Sequence, residues 1–373
     1  MKTIGLNALH LRWGVNAGTE TYFSNLVLPW YEREQGTSRF IMYCNELPPW
    51  WRGPRPWFDA VALPRARGLV WRIFYEQLWF PLKLGSGVHT LFCPGYVGSV
   101  LLRARQVVAV LDAYAWRYPR EIGRLKSLYW QFFIPRSIRG RNEVTTISSS
   151  SASDIVHFCE VDPARIHVIY PAGGHLAAMD SDDTVLGRLG LEPQRYFHCV
   201  GVFKEIKNPL RILDAYERYA AQAAPGQAKK LVLVGRADGA YAEMLQARAR
   251  AMPGVVLAGR LSDGELAALY RGSAGLVFPS LYEGFGIPIL EAQSLSCPVI
   301  TSNVSSMPEV AGAGAILVDP ESVAAIADAL QAIGEPSRRD ALIERGQDNF
   351  VRFSWQKASD EVLALLTAES RGI

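Results

Sequence analysis

Two glutamates, Glu283 and Glu291, stand eight residues apart in FPSLYEGFGIPILE, the stretch Phe278 to Glu291. The apolar run Ala274 to Phe278 stops at Pro279, and Gly284, Phe285 and Gly286 lead into an apolar helical stretch that contains Glu291. A strand end, a tight turn and a helix start in this order form the place where an open α/β sheet puts its ligands. Ionised carboxylates only accept hydrogen bonds, so a pair of them suits a ligand rich in hydroxyl donors, such as a sugar and a ribose. Lys207 stands directly before Asn208 and Pro209, which read as a helix N-cap and a first helical position. A fixed cation at a helix N-terminus suits a diphosphate, because negative charge there is favoured by both. Asp112 closes the run VVAVLD, where the carboxyl end of a strand points a polar side chain into the ligand crevice. It fits orienting a hydroxyl or taking its proton, and it also fits capping the segment that follows.

The elements that must position these groups alternate along the chain. Apolar runs at Lys2 to Leu9, Phe40 to Tyr43, Val61 to Leu63, Thr90 to Cys93, Gln106 to Leu111, Val144 to Ile147 and Ile166 to Tyr170 predict strands. Helical stretches separate several of them: Glu20 to Tyr31, Leu69 to Leu84, Leu125 to Ile138 and Ala152 to Cys159. The alternation predicts a parallel, doubly wound sheet. Between the first strand and helix lies GVNAGTET, Gly14 to Thr21, whose glycines Gly14 and Gly18 let backbone N–H groups approach an anion, with Thr19 or Thr21 as helix cap. Only two of the glycines of a dinucleotide fingerprint are present, which disfavours a Rossmann dehydrogenase.

Tyr170 to Leu191, with PAGG and MDSDD, reads as a linker. A second set of strands follows at Tyr196 to Gly201, Lys230 to Gly235, Val255 to Gly259 and Gly275 to Phe278, with helices at Tyr241 to Ala251 and Asp263 to Tyr270. Amphipathic helices at Ser322 to Ile333, Arg338 to Phe350 and Ser354 to Leu366 need a surface to cover. The expected division is therefore 1–178, 179–353 and a last helix at 354–373, and 373 residues suit two domains.

The net charge of +3 hides an uneven spread, since Trp51 to Glu143 holds 15 Lys or Arg against 5 Asp or Glu. Arg117 to Arg141 mixes seven basic residues with Tyr129, Trp130, Phe132 and Phe133, and Gly68 to Lys83 has a similar character. Such faces suit an anionic bilayer surface or a lipid-linked phosphate, and they equally suit packing on a sheet with the charges solvated. Nucleic acid is disfavoured, because the aromatics fall in helical stripes and no nucleic-acid motif is present. Five cysteines, odd in number and without a C-x-x-C pair, read as buried reduced thiols in a cytoplasmic protein. The start, MKTIGLNALHL, lacks the form of a signal peptide, and no run approaches the length of a spanning helix.

Glu283 to Glu291 resembles the E-x7-E signature of retaining, GT-B-type glycosyltransferases of family 4, and Ala292 to Pro320 is similar to the same family's C-terminal domain. The resemblance implies two Rossmann-like α/β domains facing across a cleft, the first for an acceptor and the second for a nucleotide-sugar, with the last helix returning to the first domain. It implies that Glu283 grips the donor sugar's hydroxyls, that Glu291 takes the ribose hydroxyls, and that Lys207 with the backbone of Gly284, Phe285 and Gly286 holds the phosphates, with Ile287 also in the donor site. The loop with Gly18 resembles the family's N-terminal glycine-rich loop. Gly235 sits in what resembles its nucleotide-side turn, and Arg260 in LAGRL, the segment whose backbone meets the base.

The chain also departs from the pattern. Leu111 stands where relatives carry a histidine before the aspartate, and Ile206 or Val202 where an arginine accompanies the lysine, leaving Lys204 as a substitute. Asp180-Ser181-Asp182 has the letters of a metal motif of another glycosyltransferase fold, but it lies in the expected linker, so neither metal nor cofactor is expected.

Pro298 to Pro320 most resembles bacterial mannosyltransferases of surface polysaccharide assembly, which implies GDP-mannose as donor. UDP-glucose, UDP-galactose and GDP-fucose remain open. A growing, lipid-linked glycan is the implied acceptor. The departures at Leu111 and Ile206 keep a second class in view, a catalytically silent sugar-nucleotide-binding or scaffolding protein of the same fold.

Overall fold

The computed structural model describes residues 2–15, 17–33, 38–84, 87–236 and 239–369. It divides into two compact units, one of 1–171 with 354–373 and one of 172–353. Each is a parallel sheet with helices on both faces.

The first sheet contains β1 (Lys2–Ala8), β2 (Ser38–Cys44), β3 (Phe58–Ala62), β4 (Thr90–Cys93), β5 (Arg105–Ala109), β6 (Glu143–Thr146) and β7 (Ile166–Val168), in the order β3-β2-β1-β4-β5-β6-β7. All its pairings are parallel. Strands β1, β4 and β5 are buried along almost their whole length because helices cover both faces. On one face Phe23, Leu26 and Trp30 of the helix Ala17–Glu32 pack with Ala358, Val362 and Leu366 of the last helix, Trp355–Thr367. Polar contacts fasten that last helix to the first unit: Ser359 Oγ donates to the Leu26 carbonyl at 2.8 Å and Arg105 to the Leu365 carbonyl at 2.8 Å. On the other face Phe80, Ile134, Ile138 and Ile155 form a second core.

The second sheet contains β8 (Tyr196–Val202), β9 (Lys230–Arg236), β10 (Val255–Gly259), β11 (Gly275–Phe278), β12 (Val299–Ser302) and β13 (Ala315–Val318), in the order β10-β9-β8-β11-β12-β13 and parallel throughout. In both sheets the chain winds outward one way and then reverses, between β1 and β4 and between β8 and β11. These are the switch points beside which doubly wound sheets hold ligands.

Several expectations differ from what the chain does. The strands β12 and β13 add to the four expected in the second sheet. The unit boundary falls at Pro171 and Ala172 rather than at 178. The expected linker is folded instead: it carries a turn at His175–Ala178 and a helix at Thr184–Arg188, with Leu176 and Val185 fully buried. Its Pro, Gly and Asp residues make tight turns that pack, which composition does not distinguish from a mobile link.

The helix expected from Leu69 to Leu84 contains a π-helical turn at Tyr75–Trp79 between two α-helical ones, Leu69–Phe74 and Phe80–Leu84. The wider turn brings Glu76 and Gln77 inward, where Glu76 accepts from Asn7 Nδ2 at 3.1 Å and Gln77 donates to the Gly98 carbonyl at 3.0 Å. All five cysteines are buried and free. Among the described residues no helix is long and apolar enough to cross a membrane.

Candidate active site

At the second switch point, β8 leaves the sheet at Val202 and β11 at Phe278, and the two exits carry Lys207 and Glu283. The structure brings these two side chains together: Lys207 Nζ donates to Glu283 Oε1 at 2.5 Å. Both are half-buried, and the ammonium also lies 5.1 Å from the centroid of the Phe278 ring. A half-buried, charge-assisted contact of this kind orients both groups.

The two loops are locked to each other and to the sheet. Leu281 N–H donates to the Ile206 carbonyl at 2.8 Å. Asn208 stands at the N-cap position of the helix Pro209–Gln222 with Pro209 first, but its side chain does not cap. Instead its backbone is left-handed (φ 61°) and its amide donates to the carbonyls of Pro279 (3.0 Å) and Pro320 (2.6 Å), pinning the end of β11. Asparagine tolerates that backbone conformation better than most residues. Glu283 itself is held through its backbone, since its N–H donates to Ser305 Oγ at 3.2 Å and its carbonyl accepts from Ser305 (2.7 Å) and Ser306 (2.9 Å). These two serines and Asn208 position the site, and sequence reasoning missed the serines. The run SNVSSMP before the short helix Met307–Ala311 was the available signal, polar hydroxyls at a turn.

Gly286 (φ 111°) turns the chain into the helix Ile287–Ser294, so Gly284 to Ile287 form a helix entrance next to Glu283. Phe285 faces inward, with its ring edge-on to Phe353 at 5.7 Å, so only its backbone can meet a ligand. Glu291, in the second turn of that helix, is buried and engaged elsewhere: it accepts from the Tyr270 hydroxyl at 3.0 Å, and its other oxygen lies 3.7 Å from His175 Nδ1. Neither partner was foreseen, because both lie in stretches read as linker or ordinary helix.

Burial pushes the Glu291 carboxyl above its ordinary value, against the opposing pull of His175 and then of the Tyr270 hydroxyl. A carboxyl whose native pKa is raised favours folding while neutral, and that contribution is lost as pH climbs from the ordinary value of 4.5 through the raised native one. Glu291→Gln keeps an acceptor for Tyr270 without the charge. Its melting temperature relative to wild type is therefore expected to rise between pH 4 and pH 8; parallel curves would remove the cause assigned here.

Lys204 and Arg260 are exposed, Lys204 beside the turn Glu205–Lys207 and Arg260 after the end of β10. Ile206, in the expected place of an arginine, is buried, while Val202 is largely exposed. Gly235, the last residue but one of β9, lies beside Gly201 of β8, its register partner.

In the first unit, Asp112 follows β5 and uses both oxygens: one accepts from the Tyr96 hydroxyl at 2.8 Å and the other from Tyr114 N–H at 2.9 Å. Leu111 before it is buried in the core. Gly18 lies exposed in the first turn of Ala17–Glu32. The N–H groups of Gly14 and Val15, expected to face an anion, donate to the Glu20 carboxylate at 2.8 and 3.1 Å; Asn16 of that loop is outside the described residues. In the Asp180-Ser181-Asp182 stretch, Asp182 accepts from Thr184 N–H at 3.2 Å and Ser181 donates to Asp183, which makes a start for the helix Thr184–Arg188.

Two doubly wound parallel sheets with a lysine and a glutamate joined at the second switch point define a class, the GT-B glycosyltransferase fold. The chain is similar to Anabaena HepE, solved in complex with UDP and glucose, with a TM-score of 0.70 at 16% identity over 98% of this chain and 100% of that one. Residues 187–349 match the model of glycosyl transferases group 1. MMP alpha-(1→4)-mannosyltransferase of Mycolicibacterium hassiacum is 30% identical over 298 residues, 76% of this chain and 68% of the relative. O-antigen chain mannosyltransferase B of Escherichia coli is 29% identical over 242 residues, 63% of each chain, so the likeness spans about two thirds of these relatives. The chain belongs to the group 1 glycosyl transferases.

Proposed function

We propose that this chain transfers a hexose, mannose from GDP-mannose in the first instance, from a nucleotide donor to a glycan acceptor with retention of anomeric configuration and without a metal, in the manner of family 4. The observation that carries the reading is the Lys207–Glu283 pair at the switch point of the second sheet. The donor's diphosphate takes over the Lys207 ammonium and the N–H groups of Gly284 to Ile287, and the sugar's hydroxyls take over the Glu283 carboxylate. Glu291 meets the ribose hydroxyls. The bond between the anomeric carbon and the diphosphate oxygen breaks as the acceptor oxygen attacks from the same face, and the acceptor's proton passes to the departing diphosphate. Catalysis is then positioning and charge stabilisation, with no protein nucleophile.

The names of the two relatives support mannose as the sugar, and that of the Escherichia coli relative supports an O-antigen chain as the acceptor class. The acceptor is placed at the cytoplasmic face of a membrane as part of this proposal, and its lipid-linked form is supported by two stretches of the first unit. Val70, Leu82 and Leu125 are 78%, 82% and 86% exposed there, among arginines and lysines. Exposed apolar side chains interleaved with cations suit an anionic lipid surface.

The test is a thermal-shift panel of nucleotides and sugar nucleotides followed by transfer assays, since a ligand that favours the folded state raises the melting temperature with its occupancy. GDP and GDP-mannose are expected to raise it most, and the product to keep the donor's anomeric configuration by NMR. Tight nucleotide binding without any turnover would favour the silent scaffold instead. Inversion would remove the mechanism, and protein left in the supernatant with anionic vesicles would remove the membrane contact.

A further inference from the structure

At the other switch point, where β1 and β4 part, a cavity of about 250 Å³ opens beyond the carboxyl end of β1. Its walls come from four places in the chain: His10 and Arg12 after β1, Arg67 from the turn Pro64–Arg67, Arg72 from the helix Leu69–Phe74, and Lys126 and Tyr129 from the helix Arg124–Ser137. Four cations line it, and among the described residues no carboxylate does. Acids stand behind the wall: Glu46 lies 3.3 Å from Arg67, the buried Glu76 lies 3.8 Å from Arg72, and the Glu20 carboxylate accepts from the N–H of the wall residue Val15 at 3.1 Å.

The histidine is the second observation. Both ring nitrogens of His10 are buried and neither makes a well-formed hydrogen bond, the Asn7 backbone coming near one of them, an arrangement that buried polar atoms seldom keep without a ligand or water to meet them. Gly95, after β4, lets the ring sit there, since a Cβ at Gly95 would come within 2.6 Å of it. Burial first, and then the Arg72 guanidinium, hold its pKa down at about 3, against a weaker pull from the Asn7 backbone. An anion among these groups offsets the mutual repulsion of the cations and gives the imidazole an acceptor.

We propose that this cavity is a phosphoryl-binding site of the first unit, in which Arg12, Arg67, Arg72 and Lys126 hold the phosphate or diphosphate of a phosphorylated acceptor and His10 donates to one of its oxygens. The assignment of that phosphate to an acceptor rests on the transfer reading above; the site itself does not. The exposed Leu69, Val70, Trp71, Leu125 and Leu128 lie on the same two helices as Arg72 and Lys126, so a phosphate carried on a lipid reaches the cavity from an apolar surface.

The experiment uses the full chain with inorganic pyrophosphate, read through the His10 ring-proton resonances, which are identified by their loss in His10→Gln. Saturable His10 shifts are expected. The double variant Arg12→Gln/Arg72→Gln should weaken the apparent affinity at least tenfold, Arg12→Lys/Arg72→Lys should restore most of it, and Lys207→Gln in the second unit should leave it unchanged. Neutral vesicles with and without a dialkyl phosphate separate the sources. Extra binding to the phosphate-bearing vesicles that the glutamine pair removes assigns the site to a lipid-borne phosphate, and its absence alongside pyrophosphate binding assigns it to a soluble phosphorylated ligand. Resonances that stay still at saturating pyrophosphate, or that move equally in the glutamine pair, overturn the site. Turnover with an unresponsive His10 removes this site and keeps the transferase, whereas a responsive His10 in a protein without turnover does the reverse.

Discussion

Lys207→Ala and Glu283→Ala should each lower kcat for sugar transfer by roughly two to three orders of magnitude while leaving the melting temperature close to wild type, the size of effect seen when one pre-placed electrostatic group is removed. The pair is formed at 2.5 Å, so each residue is oriented by the other. Removing the lysine takes away the cation that faces the departing diphosphate. Removing the glutamate frees the lysine from its anchor and deletes the acceptor for the sugar's hydroxyls. The two roles separate in the kinetics. Lys207→Arg is expected to recover part of the rate, because the charge remains, whereas Glu283→Gln is expected to recover little, because an amide is a weaker acceptor for hydroxyl donors. Wild-type kcat in a purified, folded Lys207→Ala protein would remove the assignment.

Gly235→Ala should be the most disruptive single methyl in the second unit, costing about 3 kcal/mol or more and lowering its melting temperature by roughly 10 °C. A Cβ built at Gly235 lies 1.8 Å from the Gly201 carbonyl oxygen and 2.8 Å from its carbon, a backbone neighbour that cannot swing away. The residue also has φ 138°, outside the range of side-chain-bearing residues. Gly201 offers the internal comparison. Its φ of 144° strains any substitution, yet the nearest atom to its Cβ is Lys207 Cε at 4.0 Å, so Gly201→Ala should cost only the backbone strain, about 1 kcal/mol. Equal melting temperatures for the two variants, measured by calorimetry, would show that the strands part more easily than their register suggests. Because β8 leads directly to Lys207, the Gly235 variant should also weaken donor binding beyond what its lost stability explains.

Much of this was legible in the chain. Apolar runs separated by helical stretches give parallel sheets because a strand covered on both faces must be apolar throughout. The strand, turn and helix around Glu283 announce a sheet's carboxyl edge for the same reason, and Asn208-Pro209 marks a helix start whatever the fold around it. What the sequence could not carry is which edges meet. The folded turns of Ala172 to Leu191, for their part, have the composition of a linker.

Composition, spacing and local propensity by themselves determined the α/β alternation, the position of the acidic pair and the lysine at a helix entrance, because each depends on neighbours within a turn or a strand. Only the tertiary structure decided that Lys207 and Glu283, 76 residues apart, share one hydrogen bond, that Glu291 is held by Tyr270 and His175, and that His10 and four cations from distant segments line one cavity. Those facts follow from strand order, since β8 and β11 become neighbours only when the winding reverses, and side chains far apart in the chain then lie within a few ångströms.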